Sequence, residues 1–244
     1  MQEIIDGKLK ELKELGAVSR DLKTWVDQSN LWYWIYSLFE LEGTPVERKI
    51  IVDIVDGKIV ENAPLDVYRL ILNFKDVYSD MRSCALMDQD ADPKILLRWA
   101  EMLLEKDVIF RKGSPVIYEW NHIPPVAAES EGETTRLLRE YARRRRSGIT
   151  IRDMGIEYME ILRLYAFDRD TVRVAGLVLM YDLLREGYPL PGLFLSDTEF
   201  NKMIDEYVNN ADENSFVNLL ERSVLNRLDS VLQLSKQAAE INDK

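Results

Sequence analysis

Apolar residues recur at positions i, i+3, i+4 and i+7 along most of the chain, which is the spacing of one face of an α-helix. Gly43 and Gly187 are each followed by a proline two residues later, as is typical of helix ends. Ser196 and Glu199 fit a capping box at a helix start. Helices are therefore predicted over residues 22–43, 63–81, 91–107, 129–146, 149–167, 170–189 and, as two helices, 196–234.

Two segments depart from the helical period. Residues 50–60 fit either a helix that ends at Gly57 or a short strand pair about Asp56-Gly57. Residues 107–125 carry β-forming residues around Gly113-Ser114-Pro115, which predicts a short β-hairpin. The predicted fold class is all-α with this one hairpin, in a single domain, because the chain has no repeat and no long linker.

The predicted helix 22–43 carries an aromatic band that is too broad for one helix face. Most of the band is expected in the core, and the remainder is available to line a protein partner or a homodimer interface, where aromatic residues are enriched. The band consists of Trp25, Trp32, Tyr33, Trp34, Tyr36 and Phe39.

The net charge of the chain limits the classes of macromolecule that it is expected to bind. The formal net charge of −11 over 244 residues disfavours non-specific binding to nucleic acid and to anionic membranes. One basic patch, formed by Arg136, Arg139 and residues 143–146, stands against this charge. We interpret it as cations at a helix C-terminus, where they complement the helix dipole, and nucleic-acid binding is the alternative.

The numbers of cysteine and histidine residues bear on disulfide formation, metal binding and cellular location. Cys84 is the single cysteine and His122 the single histidine, so the sequence offers neither an intrachain disulfide nor a metal-ligand cluster. The first ten residues are charged from residue 3 and do not read as a signal peptide, and the apolar runs are short for a membrane span. A cytoplasmic location without a membrane segment is the expectation.

Residues 165–176, YAFDRDTVRVAG, span the junction of the predicted helices 149–167 and 170–189. The segment resembles the loop motif H-P-F-x-x-G-N-G-R-x-x-R of the Fic/Doc family (the Fido fold), whose members typically transfer AMP from ATP to a protein hydroxyl. Phe167 and Arg173 match the motif, and Asp168 follows the Phe as in many members. The segments 37–43, 54–78, 122–125 and 183–190 look like further landmarks of the family in its order.

The resemblance spans residues 20–228 and implies a Fic-type helical bundle with a β-hairpin flap. The layout that it implies has an N-terminal segment resembling the family's inhibitory helix, a Fic-like core that contains the flap, and a C-terminal tail. In this chain the N-terminal segment is 1–60, the Fic-like core is 61–228 with the flap at about 108–122, and the C-terminal tail is 229–244.

The same resemblance implies a disabled active site. Tyr165 stands at the position of the motif His, the general base, and a phenol with an ordinary pKa of about 10 is a poor base at neutral pH. The glycine-rich anion hole is replaced by Asp170, Thr171 and Val172: Asp170 brings a negative charge, and Val172 resists positive φ. The second motif arginine is Gly176. We therefore expect no catalytic residue and no cofactor.

The remaining motif positions have structural alternatives. Asp168 holds the place that binds Mg²⁺ in relatives, but we expect a solvated acid or a helix N-cap there. Arg173 is expected to pair with Asp168 or Asp170. Because Gly176 removes the usual partner of the inhibitory glutamate, Glu42 is expected to be structural or exposed. The inhibitory-motif-like residues are Ser37, Glu42 and Gly43.

Two functional hypotheses follow. The first is a catalytically inactive Fic-like protein that binds a protein partner through the flap, whose edge pairs with an extended segment in relatives. The second is a divergent nucleotidyl- or phosphoryl-transferase that modifies a protein hydroxyl with ATP and Mg²⁺. His122 replaces the base only if the geometry departs from the family's, and is otherwise an exposed or packing residue. The flap residues are Val116, Ile117, Tyr118, Glu119 and Trp120.

Overall fold

The structure is a computed structural model that describes residues 1–15 and 20–242. Ten α-helices form within these residues, which confirms the predicted mainly helical fold class. Two short 3-10 turns cover Tyr118–Trp120 and Asp168–Asp170. The helices are α1 (Gln2–Glu14), α2 (Arg20–Leu41), α3 (Arg48–Val55), α4 (Leu65–Leu86), α5 (Pro93–Leu104), α6 (Ala127–Arg145), α7 (Ile151–Leu164), α8 (Thr171–Glu186), α9 (Asp197–Asn210) and α10 (Asn214–Asn242).

Helix α8 lies at the centre of the bundle. Every residue from Val174 to Leu183 is buried, so this helix buries all its faces, as the apolar run 174–181 requires. It packs against α7, α4 and α5, and α7 in turn packs on α10. Gly155 permits the close approach of α7 and α10, since a Cβ there would lie 3.1 Å from a methyl group of Val217. The loop between α7 and α8 is thereby fixed by the two best-packed helices.

The two ends of the chain pack together. Helix α1, for which the sequence pattern assigned no element, lies along α10 and buries Ile5 and Leu9. Lys236 pairs with Glu11 at 2.6 Å across this contact. The last two residues of the predicted C-terminal tail, 243 and 244, lie outside the described residues.

The structure resolves the ambiguous segment as helix α3, with Gly57 beyond its end at φ +83°. The predicted hairpin is wrong in extent and in turn position. Its strands reduce to one antiparallel bridge between Ile117 and His122, and the chain turns at residues 118–121 rather than at Gly113-Ser114-Pro115. No described helix combines the length and the apolar character that crossing a bilayer needs.

The predicted basic patch does not form one exposed surface. Arg145 turns inward and is buried between the carboxylates of Glu157 and Asp182, with Nη2 2.8 Å from Glu157 Oε2. Arg146 binds Asp90 across the bundle at 2.5 Å. The patch therefore includes a core ion-pair network as well as exposed cations at the end of α6.

Candidate functional site

Tyr165 ends α7 in a left-handed conformation, with φ +47°. Its ring packs edge-on against Trp120 of the flap, with the centroids 5.4 Å apart. Burial raises the pKa of the Tyr165 phenol, and the nearby carboxylates of Asp168 and Glu119 raise it further. The phenol therefore stays protonated at neutral pH, and the phenolate that could accept a proton is scarcer than in a free tyrosine.

The loop after Tyr165 closes into a 3-10 turn instead of an open ring of N–H groups. Asp168 has φ +48° and is exposed, whereas Asp170 and Thr171 have φ −85° and −56°. The backbone N–H of Phe167 donates to Thr171 Oγ1 at 3.0 Å, which fixes the turn. Positive φ is therefore absent from residues 170–172, where the motif's anion hole would need it.

Arg173 pairs with Glu42. This contact corrects both the expected partners of Arg173 and the expected lack of an arginine partner for Glu42. Its Nε and Nη2 donate to the two carboxylate oxygens of Glu42, both at 2.8 Å, in a fork-to-fork pair. Burial lowers the pKa of Arg173, but the hydrogen bonds and charge of Glu42 outweigh this effect and raise it. Asp170 instead binds Lys106 at 2.8 Å, so the predicted pairing of Arg173 with Asp168 or Asp170 is wrong.

The end of α2 places Glu42 at the site. Gly43 follows with φ +65°, and a Cβ there would lie 3.0 Å from Asp197 Oδ2, so the turn requires glycine. The Glu42 side chain is only 14% exposed and holds Arg173, so the structural one of the two expected alternatives, structural or exposed, applies. Ser37 lies one turn earlier, buried, with its hydroxyl donating to the Tyr33 and Trp34 carbonyls, so it is structural.

The flap residues divide into an inward and an outward set. Trp120 is buried and its Nε1–H donates to Asn201 Oδ1 on α9 at 2.7 Å, while Ile117 is also buried. His122 donates from Nε2 to the Arg163 carbonyl at 2.7 Å, as a packing residue does. The outward set consists of Val116, Tyr118 and Glu119.

Arg111 is a site residue that the sequence reasoning missed. Its buried guanidinium donates to the carbonyls of Tyr165 (2.9 Å), Gly113 and Pro125, and its backbone N–H donates to Ala166 O at 2.9 Å. Burial lowers the pKa of Arg111. The side chain thus ties the flap to the loop after α7. Only its position in an apolar, strand-like run, VIFRK, signals that it is buried.

Two connected clefts lie between the flap and the loop, with volumes of about 690 and 670 Å³. Both are bordered by Glu119, Tyr165, Arg169 and Asp170. Six carboxylates line the two clefts, against the three cations Lys106, Arg169 and Arg173. The site therefore carries an excess of negative charge. The carboxylates are Glu42, Asp107, Glu119, Asp168, Asp170 and Asp197.

The charges at the loop oppose a nucleotide phosphate. The phosphate-binding arginine of the motif, Arg173, already holds a carboxylate, and Asp170 adds a second negative charge at the loop. Asp168 is a lone candidate ligand, because the described residues contain no group of three or more metal-ligating side chains. A single carboxylate binds Mg²⁺ weakly without substrate phosphates.

The helical bundle as a whole is similar to the fold of Fic-domain proteins. A Fic-domain signalling protein of Bacteroides thetaiotaomicron is similar with a TM-score of 0.78, at 17% identity over 96% of this chain and 98% of its own. A Fic-family protein of Desulfovibrio desulfuricans gives 0.63, at 17% identity over 100% and 76%. Fic-1 of C. elegans gives 0.65, at 14% identity over 96% and 69%.

At these identities the similarity concerns the fold. No protein-family model matches the sequence, and no curated protein matches it either. The Fic fold inferred from residues 165–176 and their flanks is confirmed.

Proposed function

We propose that this chain is a Fic-fold protein without transferase activity, and that it acts by binding a protein partner through the flap and the adjoining cleft. The observation that carries the proposal is the pair between Arg173 and Glu42. A phosphate at this position has to displace a carboxylate held by two charge-assisted hydrogen bonds, inside a cleft with excess negative charge.

The base and the binding loop support the same proposal. A general base for a hydroxyl must accept a proton near neutral pH, and the neighbourhood of Tyr165 moves its pKa away from that range. The right-handed backbone at Asp170 and Thr171 leaves no concave row of N–H groups for phosphate. The flap, in contrast, keeps a fixed shape through Arg111 and Trp120.

The inactivity is tested with ATP labelled on the α-phosphate, Mg²⁺ and a cell lysate. We expect no labelled protein with the wild type, and the same result with Arg173→Ala and with Tyr165→Phe. Arg69→Ala, at an exposed arginine of α4, is the matched control. Label transfer that is lost in Arg173→Ala and kept in Arg69→Ala would contradict the proposal.

A divergent transferase is the second candidate, because the cleft beside Arg173 has the volume of a small-ligand site, about 670 Å³. On this reading Glu42 blocks the site and its removal opens it. Calorimetric titration of Glu42→Gly with ATP and Mg²⁺ tests this. The transferase is favoured if Glu42→Gly binds ATP saturably and the double variant Glu42→Gly, Arg173→Ala does not. Absence of binding heat in Glu42→Gly counts against it.

A further inference from the structure

The outer side of the flap exposes apolar side chains beside a charged cleft. Ile109 is 63% exposed, Val116 48% and Tyr118 84%, and all three border the same cleft of about 690 Å³. We call these three residues the flap face. Apolar side chains grouped at a concave surface are typical of an interaction site, since single exposed apolar residues are usually scattered.

The backbone beneath the flap face is available for pairing. Residues 107–116 form neither helix nor strand. Among the described residues, Arg111 is the one member of this segment whose N–H donates to another backbone group, and none of the segment's carbonyls accepts from a backbone N–H. The Gly113 carbonyl accepts from the Arg111 guanidinium and Pro115 has no N–H, so pairing falls to the other backbone groups of the segment. A segment of this kind offers main-chain donors and acceptors to a second extended chain.

The charge around the flap face selects the partner. Asp107, Glu119 and Asp168 border the same cleft and form no ion pair within the part of the chain that the structure describes. Lys106 is held by Asp170, so Arg169 is the unpaired cation among the described residues that border the cleft, and the buried guanidinium of Arg111 attracts Asp168 from beneath. The net charge of −11 over the whole chain adds long-range attraction for cations.

From these contacts we infer that the flap face and its cleft bind an extended segment of a protein partner in which lysine or arginine accompanies aliphatic residues. The inference rests on the proposed function and adds the chemical class of the partner. The aliphatic side chains pack on Val116 and Tyr118, and the cations pair with Glu119 and Asp168. A second copy of this chain is disfavoured because it carries the same net charge.

The probe is a fluorescein-labelled ten-residue peptide in which Lys and Val alternate, measured by anisotropy at 50 mM salt. Two companion peptides replace every Lys by Glu or every Val by Ser. We expect saturable binding of the Lys–Val peptide, weaker binding of the Lys–Ser peptide and none of the Glu–Val peptide. Binding of the Lys–Val peptide should weaken as salt rises to 500 mM, because exposed charges are screened.

Paired variants locate the binding surface. We expect the double variant Glu119→Gln, Asp168→Asn and the single variant Tyr118→Ser each to weaken binding about tenfold, since exposed ion pairs and surface apolar contacts are individually modest. Glu61→Gln removes an exposed carboxylate elsewhere, and Ile59→Ser removes an apolar side chain that is 85% exposed. Both controls should bind as the wild type does.

Two results would overturn the inference: failure of the Lys–Val peptide to saturate, or equal loss of affinity in the flap variants and their controls. Either result leaves the proposed inactivity standing, because that proposal is judged by transfer of label from ATP. Conversely, label transfer by the wild type would overturn the proposed function whatever the peptides show.

Discussion

The ion pairs of Arg173 and Arg145 differ in how far they are buried. Arg173 and Glu42 keep 27% and 14% of their side chains exposed, so solvent screens their attraction. Arg145 is buried with two carboxylates, Glu157 and Asp182, and its Nη1 has no hydrogen-bond partner among the described residues. The buried group carries one more negative than positive charge when both acids are ionised, which favours the protonated form of one acid.

Glu157 is therefore expected to make stability depend on pH. Burial raises its pKa well above the ordinary value of 4.5, and Asp182 raises it further. The folded state then binds the proton more tightly than the unfolded state, so this residue's contribution to stability falls as pH rises above about 4.5. In Glu157→Gln this dependence should disappear, because an amide does not titrate.

Urea unfolding at pH 5, 6, 7 and 8 measures the effect. The free energy of unfolding of Glu157→Gln minus that of the wild type should increase with pH, by at most about 1.4 kcal/mol per pH unit for one proton. Glu129→Gln, on the exposed side of α6, makes the same chemical change away from the buried group. A difference that stays constant with pH would refute the assignment.

The Glu42–Arg173 pair also marks what residue patterns cannot reveal. The two residues are 131 positions apart, and helix periodicity says nothing about which polar groups meet across a bundle. The motif comparison located Arg173 but assigned it to the acids nearest in sequence. Lys106, in the segment after α5, pairs with Asp170, and Arg173 pairs with Glu42 instead.

At the scale of elements, the helices could be predicted and the flap could not. Apolar periodicity located α2 and α4–α9 to within five residues, because each buries one face or, for α8, all faces. It ended the last helix at residue 234, whereas α10 continues to Asn242 through most of the predicted C-terminal tail, 229–244. The hairpin failed because Pro115 has no N–H to donate, and because Arg111 engages the Gly113 and Pro125 carbonyls. A side chain thus binds two of the carbonyls that a strand ladder would use.

Helix α9 positions the flap, and its N-terminus depends on Ser196. The capping box predicted from the sequence is present: the Glu199 N–H donates to Ser196 Oγ at 3.3 Å, and the Ser196 N–H donates to Glu199 Oε2 at 2.9 Å. We expect Ser196→Ala to lower the free energy of unfolding by about 1 kcal/mol in urea titration.

Ser230→Ala is the matched control for this change. The Ser230 hydroxyl donates to the Asn226 carbonyl within α10, where it caps nothing, so its removal should change stability by no more than about 0.5 kcal/mol. Equal effects of the two substitutions would show that the cap of α9 contributes nothing specific.

On the scale of the whole molecule, the fold is closed by the contact between α1 and α10. We expect Ile5→Ala to destabilise the protein by about 2–5 kcal/mol, because Ile5 is fully buried in this contact. Ile4, at the preceding position, is 57% exposed. Ile4→Ala should therefore change the free energy of unfolding by no more than about 0.5 kcal/mol. Urea unfolding measures both free energies of unfolding. A loss for Ile5→Ala as small as that for Ile4→Ala would mean that α1 does not belong to the cooperative unit.

The fold as a whole was accessible from the sequence through the resemblance of residues 165–176 and their flanks, whereas α1 was not. The first turns of α1 place Gly7 between Asp6 and Lys8, and glycine has a low intrinsic helix propensity. Packing against α10 supplies the stability that this local sequence lacks.

Arg111 has a consequence for the kinetics of association. Its three carbonyl contacts, the Ile117–His122 bridge and the Trp120–Asn201 hydrogen bond hold the flap at three points before any partner arrives. A partner that docks on such a preformed edge has little loop ordering to complete. Its association rate would then be set by the encounter and by charge attraction, and differences between competing partners would appear in their rates of dissociation.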